Sequence, residues 1–207
     1  MRDKIIYLDL DGVILDNSYR LYSIYKKLMI NKNRLSNKAY WNLKRIKIPE
    51  EEIIMKTVQN PVFISYYIKK KAELIEKQEF LKYDKLIGSA HKSIKKLRKE
   101  NKIILVTKRN KKNNLFKQLK LLKILNLFDN IIVCKNGSKA NLISKDPSFN
   151  RKNSLIIGDT EEDIKSGKKL GIKTIAVSSG IRCENYLKKY KPTKILKNIS
   201  KLIGMKL

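Results

Sequence analysis

Lys4-Ile5-Ile6-Tyr7-Leu8-Asp9-Leu10-Asp11-Gly12 is an apolar run that stops on two aspartates and a glycine. A short run rich in β-formers and closed by a turn signal reads as a buried strand over residues 4–10. Side chains alternate along extended backbone, so Asp9 and Asp11 are expected on one side, with Leu10 facing the core.

The same pattern returns in the second half of the chain. Lys102–Thr107 (KIILVT), 130–134 (NIIVC), 154–157 (SLII) and 173–177 (KTIAV) are apolar runs, each separated from the next by helical periodicity. Helices are expected at 89–100, 113–125, 138–144 and 161–170, the last stopped by Gly171, with an edge strand at 192–196. Strands that are continuously apolar and alternate with helices imply a parallel sheet covered on both faces. Between Ser18 and Lys82 the apolar residues keep helical spacing and no strand signal appears. Residues 31–37 and 47–49 read as breaks between helices, and Pro61 as a helix start. The expected fold class is therefore α/β, a Rossmann-like three-layer parallel-sheet core with an inserted small all-helical cap. Residues 1–15 and 84–207 would form the core and 16–83 the insert.

The composition bounds the function. With 207 residues and 42% hydrophobic content, the chain can bury a real core. No apolar run reaches the roughly 18 residues that span a bilayer. The first apolar run is too short and too acidic for a signal peptide, so a soluble cytoplasmic protein is expected, as monomer or homodimer. Cys134 and Cys183 are isolated and suggest neither a disulfide framework nor a structural metal. The net charge of +29 invites a polyanionic partner. Its lysines are spread along the whole chain, without the interleaved aromatics of a base-stacking surface, so nucleic acid is the less favoured partner.

Sites in open α/β sheets form beyond the carboxyl ends of the strands. The residues there are Asp9-Leu10-Asp11-Gly12, Thr107-Lys108-Arg109, Cys134-Lys135 and Gly158-Asp159-Thr160-Glu161-Glu162-Asp163. Asp159 and Asp163 stand four apart at a helix start and share a face. Carboxylates gathered from two strand ends repel one another unless a cation sits among them, and a hard ion such as Mg²⁺ suits oxygen ligands.

The stretch Asp9-Leu10-Asp11-Gly12-Val13 resembles the first motif of the haloacid dehalogenase superfamily, in its phosphatase branch. Leu105-Val106-Thr107 resembles the second motif, Lys139 the third, and Gly158-Asp159-Thr160-Glu161-Glu162-Asp163-Ile164 the fourth. Residues 166–177 match the helix–Gly–strand continuation, and the insert stands where the family carries its helical cap. Two places depart from the pattern. Lys108-Arg109 follows Thr107 where the family often has Asn, and Ala140 follows Lys139 where Pro is common. Lys135, directly after a strand, is the alternative to Lys139.

The resemblance implies a phosphoglycolate phosphatase-like hydrolase acting on a small phosphorylated metabolite. Asp9 would be the nucleophile and Asp11 the general acid and base. Mg²⁺ would be held by Asp9, the main-chain carbonyl of Asp11, Asp159 and Asp163. Thr107, Lys108 and Lys139 would bind the phosphoryl oxygens. An acid at position 11 favours phosphate esters over carbon–halogen bonds. Arg20, Lys44 and Arg45 are candidate specificity residues in the insert. The alternatives are a sugar-phosphate mutase on the same site, or a strand-end phosphatase using the basic surface.

Overall fold

The protein is described by a computed structural model covering residues 4–30, 32–135 and 137–205. The opening run forms β1 (Lys4–Leu8), two residues shorter than expected because the backbone leaves the sheet at Asp9. A two-residue strand, β2 (Leu15–Asp16), leads into five helices: α1 (Ser18–Leu28), α2 (Asn37–Arg45), α3 (Glu50–Met55), α4 (Pro61–Leu74) and α5 (Gln78–Leu81). The chain returns through β3 (Lys85–Leu86) and then alternates. The order is α6 (Ala90–Glu100), β4 (Asn101–Thr107), α7 (Lys112–Leu121), β5 (Asn130–Val133), α8 (Lys139–Ile143), β6 (Ser154–Gly158), α9 (Glu161–Leu170), β7 (Lys173–Val177), α10 (Glu184–Lys188) and β8 (Lys194–Leu196).

Six strands form one sheet in the order β5-β4-β1-β6-β7-β8, with every pairing parallel. The chain builds outward from β1 through β4 to β5, then crosses to β6 on the other side. That reversal opens a crevice at the carboxyl ends of β1, β4 and β6. Alternation along the strands separates the two faces. Ile6, Leu8, Ile103, Leu105, Leu155 and Ile157 join one buried cluster with Ile94 and Leu97 of α6 and Leu115 and Leu119 of α7. Tyr7, Ile104, Val106 and Ile156 join the other, with Ile143 of α8. Helices on both faces of a parallel sheet make the three layers.

The insert has its own core. Leu21, Tyr25, Tyr40, Ile53, Ile64 and Tyr67 pack together, and the rings of Tyr25 and Tyr40 stack with centroids 4.6 Å apart. Its helix starts follow local chemistry. Ser36 caps α2 by accepting from the Ala39 N–H, and Asn60 caps α4 at Phe63 ahead of Pro61. β2 and β3 pair antiparallel, Leu15 with Leu86 and Asp16 with Lys85, so entry to and exit from the insert run through one ribbon. Strands of two residues carry no readable alternation, and these two were absent from the sequence reading. No helix among the described residues is long and apolar enough to cross a membrane.

Candidate active site

The crevice holds a cavity of about 410 Å³. Asp9, Asp11, Thr107, Lys139 and Asp159 line it from the core, and Arg20, Lys44 and Lys71 from the insert. Asp9, Asp159 and Asp163 are buried, and each offers one carboxylate oxygen within 4.8 Å of the others. The ammonium of Lys139, also buried, lies 2.8 Å from Asp9 Oδ1 and 2.6 Å from Asp163 Oδ1. Lys135 is exposed.

Two of the three carboxylates, Asp9 and Asp163, share this ammonium. Burial raises the pKa of Asp9, Lys139 pulls it down, and repulsion from Asp163 adds to the rise; the outcome is about 7. Burial also pushes Asp159 well above the ordinary carboxylate range, reinforced by Asp9 and Asp163. Burial works against the charge of Lys139, but Asp163 and Asp9 outweigh it and hold the ammonium firmly protonated. A buried, all-oxygen cluster with excess negative charge suits a hard divalent cation.

Local structure fixes each member. Asp163 Oδ2 accepts from Thr160 N at 3.2 Å and Thr160 Oγ1 at 2.6 Å, capping α9 and leaving Oδ1 for Lys139. Asp159 Oδ2 accepts the Ile181 N–H at 2.6 Å. Gly12, at φ +79°, and Gly180 wall this carboxylate; a Cβ on either would stand 2.0 Å or 1.9 Å from Asp159 Oδ2. Only a residue without a side chain allows that approach.

Asp11 lines the same cavity as Asp9. The chain turns after Leu10, and the Asp11 carboxylate stays out of the cluster, so of the predicted metal set it has only its main-chain carbonyl to offer. Arg109 grips it through Nε and Nη2, and Arg20 Nη2 reaches Oδ1 at 3.0 Å. Both arginines also reach the fully buried carboxylate of Asp84, Arg20 at 3.2 Å and Arg109 at 3.1 Å, while Gln118 donates to it at 2.8 Å. Burial alone would raise the pKa of Asp11, but Arg109 and Arg20 reverse the effect and hold it well below the carboxylate range. Asp84 and the gripping role of Arg109 went unread in the sequence, since Asp84 follows no core strand and Arg109 is one cation among many.

The remaining expected residues divide. Thr107 is buried on the cavity wall. Lys108 stands at the rim, exposed and ion-paired with Glu162 at 2.5 Å. Arg20 belongs to the Asp11–Asp84 network. Lys44 lines the cavity and contacts Glu50 at 2.6 Å. Arg45 is not among the residues lining the cavity and donates to the carbonyl of Ser178 at 2.9 Å, tying α2 to the core. Its position at the end of α2 turns it toward the loop after β7. Neighbouring contacts strengthen that tie. Glu161 pairs with Lys47 at 2.6 Å and Arg182 at 3.0 Å, and Arg182 donates to the Lys44 carbonyl at 2.8 Å. On the other side Glu76 caps α7, accepting from Asn110 N at 2.8 Å and Lys111 N at 2.7 Å.

Known proteins resemble this chain in sequence and in fold. The sequence profile of the haloacid dehalogenase-like hydrolases matches residues 5–177. The pyrophosphatase PpaX of Halalkalibacterium halodurans is 26% identical over 134 residues, 59% of this chain and 62% of that protein. A haloacid dehalogenase-like family hydrolase from Streptococcus pneumoniae superposes with a TM-score of 0.79 at 18% identity, covering 97% of this chain and 96% of the other. The HAD-hydrolase YfnB from Bacillus subtilis, solved with magnesium bound, gives a TM-score of 0.68 at 22% identity over 98% and 97% of the two chains. With a profile match over most of its length and the same fold, this chain belongs to the haloacid dehalogenase-like hydrolase family.

Proposed function

We propose that this chain is a magnesium-dependent phosphatase that hydrolyses a small phosphate monoester through a covalent phosphate on Asp9. The observation that carries the reading is the buried trio Asp9, Asp159 and Asp163, with Asp9 and Asp159 on the cavity wall and the Lys139 ammonium paired to Asp9 and Asp163. The similarity to a pyrophosphatase and to a fold solved with magnesium agrees with it.

Asp9, Asp159 and Asp163, with the main-chain carbonyl of Asp11, would hold Mg²⁺. When bound, the ion supplies positive charge that offsets repulsion between a carboxylate and a phosphate dianion. A carboxylate oxygen of Asp9 attacks phosphorus, and the bond from phosphorus to the ester oxygen breaks. The departing oxygen takes a proton from Asp11, which has first taken that proton up from solvent. Water then attacks the same phosphorus, gives its proton to Asp11, and frees Asp9 and inorganic phosphate. The Thr107 hydroxyl and Lys139 ammonium hold the phosphoryl oxygens where charge builds. Lys139 suits this role better than Lys135 because its ammonium already touches Asp9.

Asp11 has a quarter of its side-chain surface open, so it can reach a leaving oxygen. Its two guanidinium partners hold it ionised at rest, and taking up a proton is therefore part of the cycle. The helical insert closes the cavity and excludes water.

The test is hydrolysis of p-nitrophenyl phosphate by purified protein with and without Mg²⁺, in wild type and Asp9→Asn. Turnover that needs Mg²⁺ and disappears in the variant is expected. Turnover that survives Asp9→Asn refutes the covalent step.

A further inference from the structure

On the insert side of the cavity, two lysines share a single carboxylate. Glu50 Oε1 accepts from the hydroxyls of Tyr40 at 3.0 Å and Tyr67 at 2.9 Å. Glu50 Oε2 takes both ammonium groups, Lys44 at 2.6 Å and Lys71 at 2.6 Å. The carboxylate is thus fully engaged. Lys71 has one further contact, the Tyr40 oxygen at 3.3 Å. Each ammonium carries three protons. Among the described residues, Lys44 therefore keeps two without a protein acceptor and Lys71 one.

Both side chains are largely withdrawn from solvent, 14% and 13% exposed, and both line the cavity that holds Asp9. Burying two cations against one anion leaves a net positive charge on the insert side of the cavity, and such charge is costly unless an anion meets it. The physical signature is an asymmetry. Burial and then repulsion from Lys44 pull Lys71 down to about 8 despite Glu50. Glu50 itself, facing two cations, is held down to about 2 against the opposing effect of burial.

We infer that Lys44 and Lys71 form a recognition site for a second anionic group of the substrate, remote from the phosphoryl group that reacts at Asp9. The inference rests on the phosphatase reading and narrows it: the substrate is a phosphate ester that also bears a carboxylate or a second phosphate. The phosphoryl group sits at the core end of the cavity, and the second anion displaces no protein group, because it takes the uncommitted protons of the lysine pair. Tyr40 and Tyr67 hold Glu50 in place, so the pair is positioned before the substrate arrives.

Two matched substrate pairs test this and separate the sources of the anion. 3-Phosphoglycerate against glycerol 3-phosphate probes the carboxylate, and fructose 1,6-bisphosphate against fructose 6-phosphate probes the phosphate. The expected result is a kcat/KM higher by about tenfold or more for the doubly anionic member of one pair. Lys71→Met and Lys44→Met each bring that ratio toward one, and Lys71→Arg keeps it. A wild-type ratio near one in both pairs overturns the inference, as does a ratio unmoved in both methionine variants. Calorimetric binding of the same four esters to the Asp9→Asn protein with Mg²⁺ supplies a readout free of turnover. A binding preference for the doubly anionic esters in a protein without phosphatase activity sustains the lysine site while refuting the phosphatase reading. Active protein without any such preference does the reverse.

Discussion

Arg109 holds Asp11 by two parallel hydrogen bonds, 2.7 Å from Nε to Oδ2 and 2.8 Å from Nη2 to Oδ1, while its Nη2 also reaches Asp84. Removing one member of a buried charge network strands the others. Arg109→Leu is expected to lower unfolding stability by about 3 kcal/mol, measured by urea denaturation. Arg109→Leu combined with Asp84→Leu should recover part of that loss, since one stranded carboxylate is gone. Equal stability of wild type and Arg109→Leu would remove the network from any account of this fold.

Metal and pH are linked through the carboxylate trio. Folding raises the pKa of Asp9 to about 7 and that of Asp159 well above its ordinary value. Without metal, the folded state therefore binds more protons than the unfolded state between the ordinary carboxylate range and about pH 7. Its stability falls as pH rises through that window. A cation removes the repulsion that causes the loss. Mg²⁺ at ~100-fold excess over Kd should raise stability by about 2.7 kcal/mol at about pH 8 and raise the melting temperature less at about pH 5.5. Scanning calorimetry with and without Mg²⁺ checks this, and a larger gain at the acid pH contradicts it.

Gly12 is the position where a single methyl group does most harm. Its backbone is left-handed, and the added Cβ would lie 2.0 Å from Asp159 Oδ2. Gly12→Ala should push Asp159 away from Asp9 and weaken Mg²⁺ binding by about 10–100-fold, with activity falling alongside. Titration calorimetry of the folded variant reads the first effect directly.

Glu50 gives the insert an acid-sensitive core. Its folded pKa is held down to about 2 from an ordinary 4.5. The stabilisation is present above the ordinary value and is lost as pH falls through that interval. Glu50→Gln should cost about 2 kcal/mol near neutral pH and flatten the stability profile below about pH 4.5. Chemical denaturation at stepped pH compares the two profiles.

The sheet and the carboxylate cluster were legible because both follow from local signals. Asp9 and Asp159 stand immediately beyond apolar runs, with Asp163 in the first turn of the helix that follows, and parallel strands bring such ends together. Capping explains why Asp163 also faces inward. Arg109, Asp84, Glu50 and Lys71 were not legible in this way. Their roles come from contacts across long stretches of chain, and in a sequence with 48 lysines and arginines nothing local marks the few that are buried. Arg45 shows the converse, since adjacency to Lys44 suggested a shared role and the helix end turned it to the Ser178 carbonyl. Alternation placed Asp11 on the cavity with Asp9, but nothing local showed that Arg109 and Arg20 would hold its carboxylate.

The ribbon of β2 and β3 lies beside this network. Arg20 sits in the first turn of α1, just after β2, and Asp84 immediately precedes β3. Both crossings between core and insert are thus paired to each other, and the residues that flank them, Arg20 and Asp84, meet at 3.2 Å. Arg20 also reaches Asp11 at 3.0 Å, so the junction of insert and core shares its ion pairs with the carboxylate that follows β1.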